Sequence, residues 1–392
     1  MKIAGLTGNE AAAEAMRQLN PDVCAAYPIT PQTELMEKFA SYAADGKVKT
    51  ELVLAESEHS AMSACIGASV AGGRVMTATS ANGLALMWEM LYIAASYRCP
   101  IVMGVVNRAL SGPINIHCDH SDSMGARDAG WIHIFSENSQ EAYDNTIQAM
   151  KIAEHPDVLL PVMVCQDGFI TSHTVERVEV LDDDVVKRFA GEYVPKFSLL
   201  KGDKPMTFGP LDFHDYYFEH KRIQFEAMEK AKPVIKDVSK QFEKLVGRPF
   251  DVLEAYKMEG AEIAVMALGS SVGTARGVVD ELREKGKKVG LIKLRVFRPF
   301  PVKEIVQTVK GLKALAVMDR SISFGAFGGP VFGETRAACY GAGVNIPIVN
   351  YVYGLGGRDT TFEEIRGLYG DMETVAREGK QIDSVRFLNV RE

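Results

Sequence analysis

The sequence has no C-x-x-C pair, no apolar run long enough to cross a bilayer, no excess of positive charge and no low-complexity tract. Each absence removes a class of function. The six cysteines, Cys24, Cys65, Cys99, Cys118, Cys165 and Cys339, are scattered along the chain. Iron–sulfur centres draw on clustered thiolates, and disulfide frameworks belong to short secreted chains. The six thiols therefore read as small buried hydrophobes. A membrane-spanning helix needs about 18 or more consecutive apolar residues, and none is present. The opening MKIAGLTGNEAAAEAM lacks the apolar core and cleavage pattern of a signal peptide, and reads instead as a short strand and a helix. A cytoplasmic location is expected. The formal charge of −7 argues against a nucleic-acid binder.

What is present is strand–helix alternation over 392 residues, enough for more than one domain with a large core. Residues 22–26, 52–55, 74–79, 100–106 and 161–165 read as strands, separated by helical patterns. That alternation implies a mostly parallel sheet with helices on both faces. Periodicity fades between 169 and 211, and a charged helical stretch follows over 217–246, interrupted by Pro233. A second α/β unit starts near Ala261, with strands expected at 262–268, 288–297, 314–319 and 346–353. The tail after Gly370 is charged and reads as peripheral.

Ligands of an open parallel sheet sit at the carboxyl ends of its strands. There the sequence places Tyr27-Pro28-Ile29-Thr30-Pro31, whose prolines stiffen the backbone around the Thr30 hydroxyl. The same segment also reads simply as a stiff turn. The next strand ends in Glu56-Ser57-Glu58-His59, one carboxylate more than helix capping needs. The third ends in Thr79-Ser80-Ala81-Asn82-Gly83, polar turn chemistry. The fourth leads into Asn107 and Arg108, and arginine suits bidentate recognition of a carboxylate. Thr30, Glu58, Ser80, Asn82 and Arg108 together describe a site for a small carboxylic acid beside a proton-handling carboxylate. The run His117-Cys118-Asp119-His120-Ser121-Asp122 is rich in metal ligands, but its spacing is irregular; it reads as a hydrogen-bonding loop, and no metal is assigned to this chain.

YPITP, ESEHSAM, TATSANGLALM and VNRALSGPINIHCDHSDSMGARDAGWI, in that order, resemble the α-type subunit of pyruvate:ferredoxin oxidoreductases, within the 2-oxoacid:ferredoxin oxidoreductase family. KLRVFRPFP, MDRSISFG and YVYGLGGRD extend the resemblance over nearly the whole chain. The resemblance implies a pyrimidine-binding domain of the thiamine-diphosphate enzymes over 1–235, with an irregular excursion near 170–215. A linker helix over 236–258 and a transketolase C-terminal-like α/β domain over 259–392 would follow. It implies that Glu58 hydrogen-bonds the cofactor's aminopyrimidine, that Pro28 and Ile29 lie along the cofactor, and that Thr30 and Arg108 bind the 2-oxoacid, Arg108 through its carboxylate; Ser80 and Asn82, at the same edge, are expected to bind the cofactor too.

Thiamine enzymes hold the diphosphate and Mg²⁺ with a G-D-G motif, and this chain has only Gln166-Asp167-Gly168 and Ala44-Asp45-Gly46. The resemblance therefore implies a β subunit for the diphosphate half. It further implies γ and δ subunits carrying [4Fe-4S] clusters and the coenzyme A site, with ferredoxin as electron carrier. The YGLGG glycines do not make a G-x-G-x-x-G fingerprint and read as a turn. The competing readings are the same chemistry on a 2-oxoisovalerate-type acid, a non-catalytic assembly subunit, and a self-sufficient thiamine transferase.

Overall fold

The computed structural model describes residues 1–379 and 385–391. Two parallel-rich sheets form its frame. The first has seven strands, in the order Val296–Arg298, Ile132–Ser136, Val162–Asp167, Val102–Asn107, Val75–Thr79, Val23–Ala26 and Glu51–Leu54. All are parallel except the edge strand Val296–Arg298. The second has six, in the order Val385–Phe387, Ile348–Val352, Ala314–Asp319, Ile263–Ala267, Val289–Leu294 and Leu253–Tyr256, with only the last antiparallel. Strands buried on both faces read as continuous apolar runs, which is why the central ones were legible.

Helices cover both faces of the first sheet. Gly8–Leu19, Thr33–Ala44 and Ser139–Ala153 share one core, around Met16, Phe39 and Ile147. Glu58–Ala71 and Trp88–Ser96 pack on the other face, in a core that continues into the second sheet through Phe297, Ile292 and Leu315. The chain changes face after Glu51–Leu54 and returns across Val23–Ala26, a strand that pairs with both Glu51–Leu54 and Val75–Thr79. That reversal opens a crevice at the carboxyl ends of Val23–Ala26 and Val75–Thr79, where doubly wound sheets bind ligands.

Several expectations need correction. The helix Tyr217–Val246 is continuous through Pro233, so a boundary at 235 falls inside it. The stretch expected as linker helix over 236–258 holds the end of that helix and then the edge strand Leu253–Tyr256. The run at 288–297 is two strands in different sheets, Val289–Leu294 and Val296–Arg298. Arg295 lies between them, buried, with its guanidinium donating to Asn145, Gln148, Ser239 and the Asp251 carbonyl. That anchor turns the chain from one sheet onto the other. The irregular excursion contains a strand, Glu176–Val180, paired with the N-terminal strand Lys2–Leu6, and a helix, Asp183–Ala190. Among the described residues the first part of the tail is not peripheral: the end of helix Phe362–Glu378 buries Met372 and Val375 in the core of the second sheet, while 380–384 lie outside the described residues. Among the described residues no helix is long and apolar enough to cross a membrane.

Candidate active site

The loop after Val23–Ala26 is held by backbone contacts that leave its side chains free. Buried Gln32 donates to the Ala78 carbonyl (3.1 Å) and accepts from the Ile29 amide (3.2 Å). Asn9 donates to the Pro31 carbonyl at 2.9 Å, and the Thr30–Pro31 bond is cis. Pro28 and the Thr30 side chain are exposed, and Ile29 is half-buried. Gln32 and Asn9 carry this arrangement, and nothing local in the sequence marked either of them.

Glu58 opens helix Glu58–Ala71 behind the N-cap Ser57 and is 5% exposed. The helix N-terminus favours its negative charge. Its carboxylate has no hydrogen-bond partner among the described residues. Gly83 lies against it: a Cβ there would stand 2.5 Å from Thr79 Oγ1 and 2.6 Å from Glu58 Oε1. The hydroxyls of Thr79 and Ser80 are buried without partners among the described residues. Buried polar groups are normally satisfied, so a carboxylate and two hydroxyls left open at one crevice fit a ligand bearing N–H and ring nitrogen groups. The aminopyrimidine of thiamine diphosphate is such a ligand.

Arg108 follows the strand Val102–Asn107 and is 7% exposed. It donates from Nε to the Asn115 carbonyl (3.0 Å) and from Nη1 to the Thr30 carbonyl (2.9 Å), with no carboxylate partner among the described residues. A buried cation held only by carbonyls keeps its charge available for an anionic ligand. The structure thus joins Thr30 and Arg108 directly. Ser80 sits buried beside the Glu58 side of the crevice. Asn82 is committed elsewhere: its Oδ1 accepts from the Ser111 amide and hydroxyl, fastening the 108–121 loop.

The ligand-rich run is the root of that loop. Cys118, His120 and Asp167 come close enough to share an ion. The Asp167 oxygens are already filled, however, by His120 Nε2 (2.7 Å), Arg320 Nη1 (3.0 Å) and the Ser270 hydroxyl (2.6 Å). Burial alone would raise the Asp167 pKa, but His120, Arg320 and Ser270 outweigh it and hold the carboxyl well below its usual range. The group is a junction between the two sheets.

The YGLGG turn completes it. Gly356 and Gly357 have φ of 60° and 78°, and added Cβ atoms would strike Asn115 and His117. Gly357 donates to the Cys118 carbonyl at 2.6 Å. These glycines let the second domain's backbone grip the loop that carries Arg108.

Fold and site together define a doubly wound α/β chain with an open crevice of buried polar groups at its strand ends. The family described as "Pyruvate flavodoxin/ferredoxin oxidoreductase, thiamine diP-bdg" matches residues 14–240, and "Pyruvate:ferredoxin oxidoreductase core domain II" matches 261–365. Pyruvate synthase subunit PorA of Thermotoga maritima is 56% identical over 388 residues, covering 99% of this chain and 98% of that protein. Ketoisovalerate oxidoreductase subunit VorA of Pyrococcus abyssi is 42% identical over 387 residues, covering 98% and 97%. A solved 2-oxoglutarate:ferredoxin oxidoreductase from Magnetococcus marinus, with 2-oxoglutarate, coenzyme A and succinyl-CoA bound, shares the fold at a TM-score of 0.74 and 20% identity. It covers 94% of this chain, which spans 65% of that longer one. This chain belongs to the pyruvate:ferredoxin oxidoreductase family.

Proposed function

We propose that this chain is the α subunit of a pyruvate:ferredoxin oxidoreductase. The complex would carry out reversible, CoA-dependent oxidative decarboxylation of pyruvate to acetyl-CoA and CO₂. The carrying observation is the buried Arg108 guanidinium, bonded to the Thr30 carbonyl and, among the described residues, without a counter-ion, on the same sheet edge as Glu58, which has no partner among them. When bound, thiamine diphosphate supplies the electron sink that lets a 2-oxoacid lose CO₂. Glu58 would hydrogen-bond the aminopyrimidine and hold a proton there. Pro28, Ile29 and Ser80 would line the cofactor. Arg108 would pair with the substrate carboxylate and the Thr30 hydroxyl would orient it, so that this chain's contribution is chiefly positioning and charge. Asn82 would act through the loop it fastens.

This reading makes the chain half of a site. The sequence has no G-D-G, and of its two Asp-Gly pairs the one at a strand end, Asp167-Gly168, is spent on the domain junction. A β subunit is assigned the diphosphate and Mg²⁺. Leu54 at a strand end, and Tyr27, Leu86, Trp88, Ile114 and Ile116 on segments that follow strand ends, are exposed apolar side chains suited to a partner chain. The [4Fe-4S] clusters, the coenzyme A site and the contact with ferredoxin are assigned to γ and δ subunits, because the six cysteines here are dispersed and buried. Free thiols in this number fit a reducing, cytoplasmic setting.

The test is Glu58→Gln in the complex purified without oxygen. Pyruvate-dependent dye reduction should fall by at least 10²-fold with assembly intact, and full activity would remove Glu58 from the chemistry. A second reading, a branched 2-oxoacid as substrate, is favoured by the 42% identity to a ketoisovalerate oxidoreductase subunit. A kcat/KM panel over pyruvate, 2-oxoisovalerate and 2-oxoglutarate decides between them.

A further inference from the structure

We infer that Asp122 is a positioning residue that locks the substrate-binding and cofactor-binding strand ends into one frame. The inference rests on the reading of Glu58 and Arg108 given above. Asp122 is 3% exposed, in the short helix Ser121–Gly125 at the end of the ligand-rich run. Its two oxygens accept four N–H groups. Oδ2 takes the amides of Ala81 and Arg108, both at 3.0 Å. Oδ1 takes the Asn107 side-chain amide (2.8 Å) and the Ser123 amide (2.7 Å).

The placement of those donors is what matters. Val75–Thr79 and Val102–Asn107 are neighbouring parallel strands whose paired register ends at Thr79 and Val105. Beyond that point no ladder joins them. One chain continues into Ser80, Ala81 and Gly83 beside Glu58; the other continues into Arg108. A single carboxylate oxygen spans the gap by accepting the amide of each. The bridge also holds strain, because Ala81 sits at φ 40°, a left-handed conformation costly for a residue with a Cβ. Such a conformation persists when its surroundings over-determine it, and the Asp122 bond to Ala81 is one of those constraints.

Asparagine cannot replace this aspartate. Each oxygen faces two donors, so the amide NH₂ would meet two N–H groups in either orientation. A structural carboxylate with no link to the site would, if altered, lower the yield of folded complex without changing how the folded fraction handles substrate. A positioning carboxylate would also shift Arg108 and the turn at Ser80, raising KM and lowering kcat together.

The experiment compares Asp122→Asn, Asn107→Ala and Glu58→Gln with wild type, in the assembled complex and per folded active site. The readouts are KM for pyruvate, kcat, and thermal midpoint. For Asp122→Asn the expectation is a KM raised at least tenfold and a kcat lowered at least tenfold. Asn107→Ala removes one donor to Asp122 without reversing a polarity, together with the Asn107 bond to the Ser123 hydroxyl at 2.8 Å; it should raise KM about threefold and lower the midpoint. Unchanged KM and kcat in folded Asp122→Asn, with Glu58→Gln inactive, would overturn the role of Asp122 and leave the site reading standing. Should Asp122→Asn fail to assemble, Asn107→Ala decides: a raised KM supports the role and an unchanged KM overturns it. A fully active Glu58→Gln would instead overturn the reading on which the inference rests.

Discussion

Gly83→Ala is the most economical probe of the site, because the structure says where the new methyl goes. It would lie 2.5 Å from Thr79 Oγ1, 2.6 Å from Glu58 Oε1 and 2.9 Å from Glu58 Cγ. Unstrained contacts lie near 3.5 Å, so the Glu58 carboxylate must retreat by roughly 1 Å. The backbone has little reason to object. Gly83 lies within helix Ala81–Leu86, where alanine is favoured over glycine by about 1 kcal/mol, against an overpacking cost of about 1–3 kcal/mol. Net stability should therefore change by no more than about 2 kcal/mol. A catalytic group displaced by about 1 Å can lose on the order of 10²-fold in rate, equivalent to about 2.7 kcal/mol of barrier. The expected outcome is a folded, assembled complex with kcat for pyruvate-dependent viologen reduction down about 10²-fold. KM should move little, because Arg108 is untouched. Wild-type kcat in the folded variant would refute the reasoning, since it would mean that the position of Glu58 beside Gly83 does not matter to turnover.

Two further expectations concern buried carboxylates. Asp167→Asn removes the charge that meets His120 and Arg320, leaving a buried guanidinium unpaired, and should cost about 3–5 kcal/mol, read as a lower thermal midpoint. Asp319 is raised to about 6 by burial, against the pull of the Val331 and Phe332 amides and of Asn350. Its folded form thus holds a proton that the unfolded form releases, so its contribution is fully present below about pH 4 and is lost as pH rises through about 6. The midpoint of wild type should gain on going from pH 7 to 5 relative to Asp319→Asn, by about 1.3 kcal/mol in stability, one pKa unit's worth of the full term. Identical pH dependence in the two proteins would contradict that assignment.

The sequence by itself determined the local chemistry. Apolar runs with turn residues at their ends announced the strands Val23–Ala26, Val75–Thr79, Val102–Asn107, Val162–Asp167 and Ala314–Asp319, because a doubly covered parallel strand has no polar face to disguise it. Arg108, directly after Val102–Asn107, and Thr30 and Glu58, each four residues past a strand, could be placed at the sheet edge because polar residues that follow such runs have only that edge to occupy. The strand Ile132–Ser136 was missed, since five wholly buried residues, one of them His133, carry no period that separates strand from helix.

Only the tertiary structure decided which ends face one another. The Arg108 bond to Thr30 spans 78 residues of chain, and the Asp167 bonds to Ser270 and Arg320 span 103 and 153. No local pattern encodes a partner at that distance. The transfer of Val296–Arg298 onto the first sheet, and the service of Asp122 and Asp167 as hydrogen-bond acceptors, follow from the same cause. A carboxylate's role is set by the donors that folding brings to its oxygens, and those donors come from elements the sequence lists far apart.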